Sequence, residues 1–243
     1  MDGGQAPSRR RGASAAVNDA GIGGGPQAVG LFETPLIVDQ MPNAGEVNRL
    51  LKSVILARRA EGSGVQLSNV AGWQSSSDML NWGGPPAKVL LSRIISLVDR
   101  FTVDVRSPMQ SRYGWFTTMW ANVSPAGASN QYHMHPGAFW SAVYYVDDGY
   151  DGSSEKGLGG ELVLSDPRMP AIAMNAPDLR FRRPGEPPEE WEKYVRPASG
   201  RLVIFPAWLQ HAVNVFNGPG TRISIAVNLS AMLKPVLELM EKP

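Results

Sequence analysis

Trp115-Phe116-Thr117-Thr118-Met119-Trp120-Ala121-Asn122-Val123 opens the part of this chain whose pattern decides its fold. Aromatic and β-branched residues crowd the run, and such side chains suit a pleated, half-buried strand better than a helix. Phe139–Val146, Glu161–Leu164, Arg201–Phe205, Ala212–Phe216 and Arg222–Leu229 follow with the same character. Clusters of Gly, Pro, Asn and Asp stand between them,. Several short strands at this spacing predict a mainly β fold, a sandwich or a barrel. No internal repeat interrupts the pattern.

Upstream the period changes. Leu31–Val38 reads as a first strand, and Pro35 suggests an edge position because proline cannot donate to a ladder,. Asn43 is placed to cap a helix, with Glu46 three residues on as its capping-box partner,. Val47, Leu50, Leu51, Val54 and Ala57 recur at helical spacing,. A second helix is expected after Pro85-Pro86, with Leu90, Leu91, Ile94, Leu97, Val98 and Phe101 as its apolar stripe,. Both helices are expected to pack on one face of the β layers. Gly72-Trp73-Gln74-Ser75-Ser76, between them, reads as a loop.

Residues 1–30 hold no aromatic residue and are rich in Gly, Ala, Ser and Pro. Such a segment buries too little apolar surface to offset its ordering entropy, so a disordered tail is expected, followed by one domain over 31–243. Asp166–Ser199 is rich in Pro and Arg and shows weak periodicity; it suits a lid or binding wall, or equally a mobile surface insertion,.

Composition narrows the role. The 243 residues are 43% hydrophobic, enough for a packed core,. Lys and Arg (23) nearly balance Asp and Glu (22), so a nucleic-acid footprint is not expected,. With no cysteine, disulfides, thiolate metal sites and cysteine nucleophiles are excluded, which fits a cytoplasmic protein,. No apolar run approaches the length of a membrane helix, and none follows Arg9-Arg10-Arg11 as a secretion signal would require,.

The chain has only three histidines, His133, His135 and His211, all in the β-rich half. Residues two apart on a strand share a face, so His133 and His135 can point at one metal ion, with His211 as the third ligand. No catalytic residue beyond these ligands stands out. Eleven positions after His211 comes Arg222, with Ser224 on the same predicted strand face. A guanidinium fork beside a hydroxyl suits a carboxylate held in a pocket. Read without the metal set, the same arginine would be a surface residue of an edge strand.

Taken together, these residues resemble a known family. His133-Met134-His135, Gly159-Gly160-Glu161, Gly200-Arg201-Leu202-Val203-Ile204-Phe205-Pro206, His211 and Arg222-Ile223-Ser224 follow the order of 2-oxoglutarate/Fe(II) oxygenases related to the prolyl hydroxylases. A closer likeness is to a bacterial and phage group of such oxygenases. It is carried by Trp120-Ala121-Asn122, the run Asn130–Gly137, the run Ser141–Val146, the run Arg222–Asn228 and the upstream Gly72-Trp73-Gln74-Ser75. The likeness spans roughly residues 31–230. One place departs from the wider family, which sets an acid two residues after its first histidine. Here that place is His135.

The resemblance implies a double-stranded β-helix, or jelly-roll, sandwich with Fe(II) at His133, His135 and His211. It also implies 2-oxoglutarate as co-substrate, its far carboxylate on Arg222 and Ser224 and its pocket lined by Trp120 and Asn122. Dioxygen completes the reaction, which hydroxylates a small-molecule or amino-acid-like substrate as 2-oxoglutarate is decarboxylated. Trp120 equally suits the core, and Asn122, Asn130 and Asn228 suit either hydrogen-bond donors that support the site's ligands or turn caps. Trp140, Tyr144 and Trp208 suit either a substrate pocket or the core. Two rival readings remain at this point: a three-histidine cupin-like dioxygenase or zinc hydrolase without 2-oxoglutarate, and a non-catalytic binding module.

Overall fold

A computed structural model describes residues 32–168 and 178–235. The expected tail over 1–30 and the centre of the Pro- and Arg-rich stretch lie outside the described residues. The strands are β1 (Ile37–Gln40), β2 (Asn69–Val70), β3 (Trp73–Gln74), β4 (Tyr113–Ser124), β5 (Ser129–His133), β6 (Trp140–Asp147), β7 (Leu162–Ser165), β8 (Glu192–Val195), β9 (Arg201–Pro206), β10 (His211–Val213) and β11 (Arg222–Leu233). Helices α1 (Ala44–Ala60), α2 (Met79–Trp82) and α3 (Gly84–Arg100) precede β4.

The strands form two antiparallel sheets. One runs β1-β9-β6-β11-β4-β3 and the other β2-β5-β10-β7-β8. This is the expected jelly-roll sandwich, with helices on the outer face of the larger sheet. The alternation of side chains along each strand explains both layers. On β11, Ile223, Ile225, Val227 and Leu229 face the helices, as Met119, Ala121 and Val123 do on β4, where they meet Leu51, Ile55, Leu90 and Ile94. Each fully buried aliphatic chain of this kind contributes about 1.5–3 kcal/mol. The intervening residues of β6 and β9 face the smaller sheet, where Tyr145, Val203 and Phe205 pack with Leu162 and Leu164. On β4 and β11 the intervening residues are largely polar, Thr118 and Asn122 opposite Ser224 and Asn228 among them, and they line a cavity between the sheets.

Polar links fix the helices to the sheet. Arg93 of α3 grips Asp39 of β1 with two hydrogen bonds of 2.8 Å. Lys52 of α1 reaches Asp147 at 2.6 Å, and the Tyr144 hydroxyl donates to Asn48 Oδ1 at 2.5 Å.

Several expectations are corrected. The first strand begins only at Ile37, although it is an edge strand as Pro35 suggested. Asn43 stands at the start of α1 but makes no side-chain cap; its backbone is left-handed (φ 53°), and its carbonyl accepts from the Glu46 N–H at 3.1 Å. The buried stripe of α1 is Leu51 and Ile55, while Leu50 and Ala57 face outward. Phe101 lies just past α3 and is exposed. Within Gly72–Ser76 the backbone of Trp73 and Gln74 pairs with Val123 and Asn122 of β4, so this segment is an edge strand and not a loop. The Pro- and Arg-rich stretch contributes β8, which pairs with β7.

Candidate active site

His133 ends β5 and His211 begins β10, and the two are direct partners across the antiparallel ladder. Their rings therefore emerge side by side, with centroids 4.3 Å apart,. His135 lies two residues beyond the end of β5. Its N–H donates to the Ala207 carbonyl at 3.0 Å, which turns its ring back to 5.0 Å from His133 and 5.1 Å from His211. The strand geometry expected for His133-Met134-His135 thus holds for the first histidine, while a backbone tether positions the second. One ring nitrogen from each histidine lies within 4.8 Å of the others.

The chemistry of this donor set fits a divalent ion. His133 Nδ1 sits 2.7 Å from the Gln131 carbonyl, and His211 Nδ1 sits 2.8 Å from the Leu209 carbonyl. A carbonyl only accepts, so both Nδ1 atoms carry the hydrogen and both Nε2 lone pairs are free for a metal. Burial, reinforced by the neighbouring His133, pushes His211 down to about 3 and His135 to about 4. Both rings are thus neutral near pH 7, as metal ligands must be. Trp120 tilts against His135 at 5.7 Å and Phe205 meets His211 edge-on at 4.8 Å.

The histidines share a cavity of about 620 Å³ with Trp120, Asn122, Arg222 and Ser224. Arg222 is 2% exposed. Its Nη2 donates to Ser124 Oγ at 3.1 Å, its Nε has no partner, and among the described residues no carboxylate is within ion-pair reach. Burial pushes its pKa down, the signature of a cation without a counter-ion,. Ser224 is buried beside it, and Asn122 Oδ1 is likewise buried without a partner.

Tyr145 is the residue that sequence reasoning missed. It is wholly buried, lines the cavity, and its hydroxyl has no hydrogen-bond partner. Burial pushes its pKa up to about 12, with Arg222 pulling the other way. The signal was the phase of β6: Ala142, Tyr144 and Val146 face the helices, so Tyr145 must face inward. Tyr144 is therefore core. Trp140 is core too, its Nε1 donating to Thr102 at 2.9 Å, and Trp208 is exposed; neither lines the cavity. Asn130 and Asn228 do line it, the first donating to Ser68 Oγ at 3.2 Å and the second accepting from Ser141 Oγ at 2.8 Å. Glu161 does not line it, and Asn214 Nδ2 donates to its carboxylate at 3.4 Å.

The family described as "Putative 2OG-Fe(II) oxygenase" matches residues 118–228, the segment that carries the three histidines, Tyr145, Arg222 and Ser224. No curated protein matches the chain. Solved structures share its fold. A prolyl hydroxylase from Trichoplax adhaerens, in complex with a hypoxia inducible factor peptide fragment, is 14% identical with a TM-score of 0.55, over 86% of this chain and 87% of that one. A prolyl-4-hydroxylase from Pseudomonas putida is 16% identical with a TM-score of 0.53, over 81% and 92%. HygX from Streptomyces hygroscopicus, with nickel and 2-oxoglutarate bound, is 12% identical with a TM-score of 0.51, over 81% and 83%. Over residues 118–228 the chain is similar to the 2OG-Fe(II) oxygenase family, and its fold is the one that these solved structures share.

Proposed function

We propose that His133, His135 and His211 hold the Fe(II) ion, and that Arg222 and Ser224 bind the far carboxylate of 2-oxoglutarate with help from the Tyr145 hydroxyl. The observation that carries this reading is Arg222, a buried guanidinium without an anion that opens into the histidines' cavity. A buried charge needs a partner, and a dicarboxylate anchored at the metal end supplies one. That requirement also separates this reading from a three-histidine hydrolase or dioxygenase without 2-oxoglutarate, which has no use for the arginine.

The chain's own residues supply ligands, orientation and dryness. The Nδ1–H bonds of His133 and His211 aim their free nitrogens at a common point. Trp120 and Asn122 line the co-substrate's part of the cavity, and Phe205, Leu162 and Val143 keep water from its wall. When bound, Fe(II) supplies the redox chemistry that couples decarboxylation of 2-oxoglutarate to hydroxylation of a substrate with dioxygen. The substrate is a small molecule or an amino-acid-like group. Among the described residues no helix is long and apolar enough to cross a membrane. With no cysteine in the chain, we place the enzyme in the reducing cytoplasm,.

Anaerobic reconstitution with Fe(II), followed by metal analysis and a succinate assay with 2-oxoglutarate, tests the assignment. One ion per chain is expected, and His211→Ala should lose most of the affinity. Full metal affinity in that variant would remove the three histidines as the ligand set.

A further inference from the structure

We propose that the primary substrate binds as an anion, received by Gln74, Ser77 and Thr118, and that its negative charge completes an otherwise positive site. The inference rests on the ligand and co-substrate assignments just given. A histidine that binds a metal through its lone pair is neutral, so the three ligands bring no charge. The two positive charges of Fe(II) and the one of Arg222 then exceed by one the two negative charges of 2-oxoglutarate. An acid in the place of His135 would cancel that excess. Here, among the described residues, nothing on the cavity wall does, because no Asp or Glu of theirs lines it.

Neighbouring acids do not fill the gap. Asp78 stands behind the wall, where it accepts from Ser76 Oγ at 2.5 Å and Trp82 Nε1 at 3.2 Å. Glu161 acts on Tyr145 and Tyr150 from outside the cavity. An uncompensated charge away from water is costly, and a counter-ion relieves it.

The cavity also has a place to receive one. A five-carbon diacid fills only part of about 620 Å³. Gln74 is 5% exposed and lines the cavity, yet its carboxamide has no hydrogen-bond partner among the described residues, and the same holds for the hydroxyls of Ser77 and Thr118. These groups donate hydrogen bonds without adding charge, which suits a carboxylate or a phosphate oxygen. Edge strand β3 pairs with β4 at Gln74↔Asn122, so the Gln74 side chain rises beside the co-substrate's part of the pocket.

Formate and its neutral counterpart formamide are small enough to probe this charge without regard to the substrate's shape. Each is titrated into the anaerobic Fe(II)·2-oxoglutarate protein while the metal-to-ligand absorption band is followed. Formate should shift the band and bind at least about tenfold more tightly than formamide, since one unit charge is felt strongly at such range. His135→Asp should erase that preference. Gln74→Met should weaken formate about tenfold and weaken 2-oxoglutarate by much less. Equal binding of the two probes, no shift up to roughly 0.1 M formate, or bleaching of the band by displacement of 2-oxoglutarate would each overturn the proposal. Absence of the band before any probe is added is a different failure, that of the co-substrate assignment itself.

Discussion

A guanidinium buried without a carboxylate beside it destabilises the empty protein, and among the described residues Arg222 is such a group,. Tyr145 adds a second buried, unpartnered group on the same cavity. Their common remedy is a ligand, so Tyr145→Phe should weaken 2-oxoglutarate binding by roughly ten- to a hundredfold, as for a hydrogen bond to a charged group. The metal-free, ligand-free variant should unfold at the same temperature as the wild type or slightly above it, because an orphan hydroxyl has been removed. A thermal melt with and without the co-substrate distinguishes these effects, and a loss of stability in the empty protein would contradict the assignment. His211 makes the pH prediction. Its pKa in the fold is pushed down to about 3 from an unfolded value near 6.5,. Below pH 6.5 the unfolded chain therefore takes up a proton that the fold refuses. The metal-free protein should keep its full stability above pH 6.5 and lose it as pH falls toward 4, by about 1.4 kcal/mol per pH unit from this group. Denaturant midpoints at pH 7.5, 6 and 5 measure the slope, and His211→Asn should flatten it. The histidines and Arg222 were legible in sequence because the chain has no other histidine and because the arginine follows at strand spacing. Tyr145 was not, because choosing between two adjacent tyrosines needs the phase of a strand that is buried on both faces.

At the scale of elements, β4 and β11 do most to shape the site. They pair along their whole length, Arg222↔Ser124 to Leu233↔Tyr113, with apolar side chains toward the helices and polar ones toward the cavity. That alternation was readable, and the runs Phe139–Val146, Glu161–Leu164 and Arg201–Phe205 fall within one residue of β6, β7 and β9, whereas β5 was not read as a run of its own. The edge strands β2, β3 and β8 were not, since two to four residues are too few to establish a period. The first turn of α1 misled for another reason: Asn43 has the right identity for a cap but a left-handed backbone that turns its side chain away from the task. The glycine pair before β7 has a steric origin. Gly159 has φ +67°, and a Cβ there would lie 1.9 Å from the Val215 carbonyl oxygen. Gly159→Ala must therefore push apart the segments joined at Gly159↔Phe216, at the end of the β7–β10 ladder away from His211, and a loss of roughly 2–4 kcal/mol is expected by chemical denaturation,. Gly152 has φ +80° but open space around its missing Cβ. Gly152→Ala should cost only the backbone strain, about 1–2 kcal/mol. Equal losses in the two variants would rule out the close approach as the cause.

Across the whole molecule, the helices on the outer face of the larger sheet leave its inner face free to be polar. The sheet is stabilised from outside by Leu51, Ile55, Leu90 and Ile94, so β4 and β11 can present Asn122, Arg222 and Ser224 to a cavity without losing their packing. Composition and periodicity pointed to a sandwich or barrel with two supporting helices, because those features are local. The convergence of three histidines from β5, the turn after it and β10 is a product of long-range pairing, and no local pattern could supply its distances. The pairing of Arg222 with a carboxylate that comes from outside the chain is the claim on which this account turns. Titration of 2-oxoglutarate into the anaerobic Fe(II) protein, followed by the metal-to-ligand absorption band, measures it directly. Removing one member of a buried ion pair costs about 3–5 kcal/mol, so Arg222→Leu should weaken 2-oxoglutarate by roughly two to three orders of magnitude and leave iron affinity nearly unchanged. Unchanged 2-oxoglutarate affinity in Arg222→Leu, or no band in the wild type, would contradict the account.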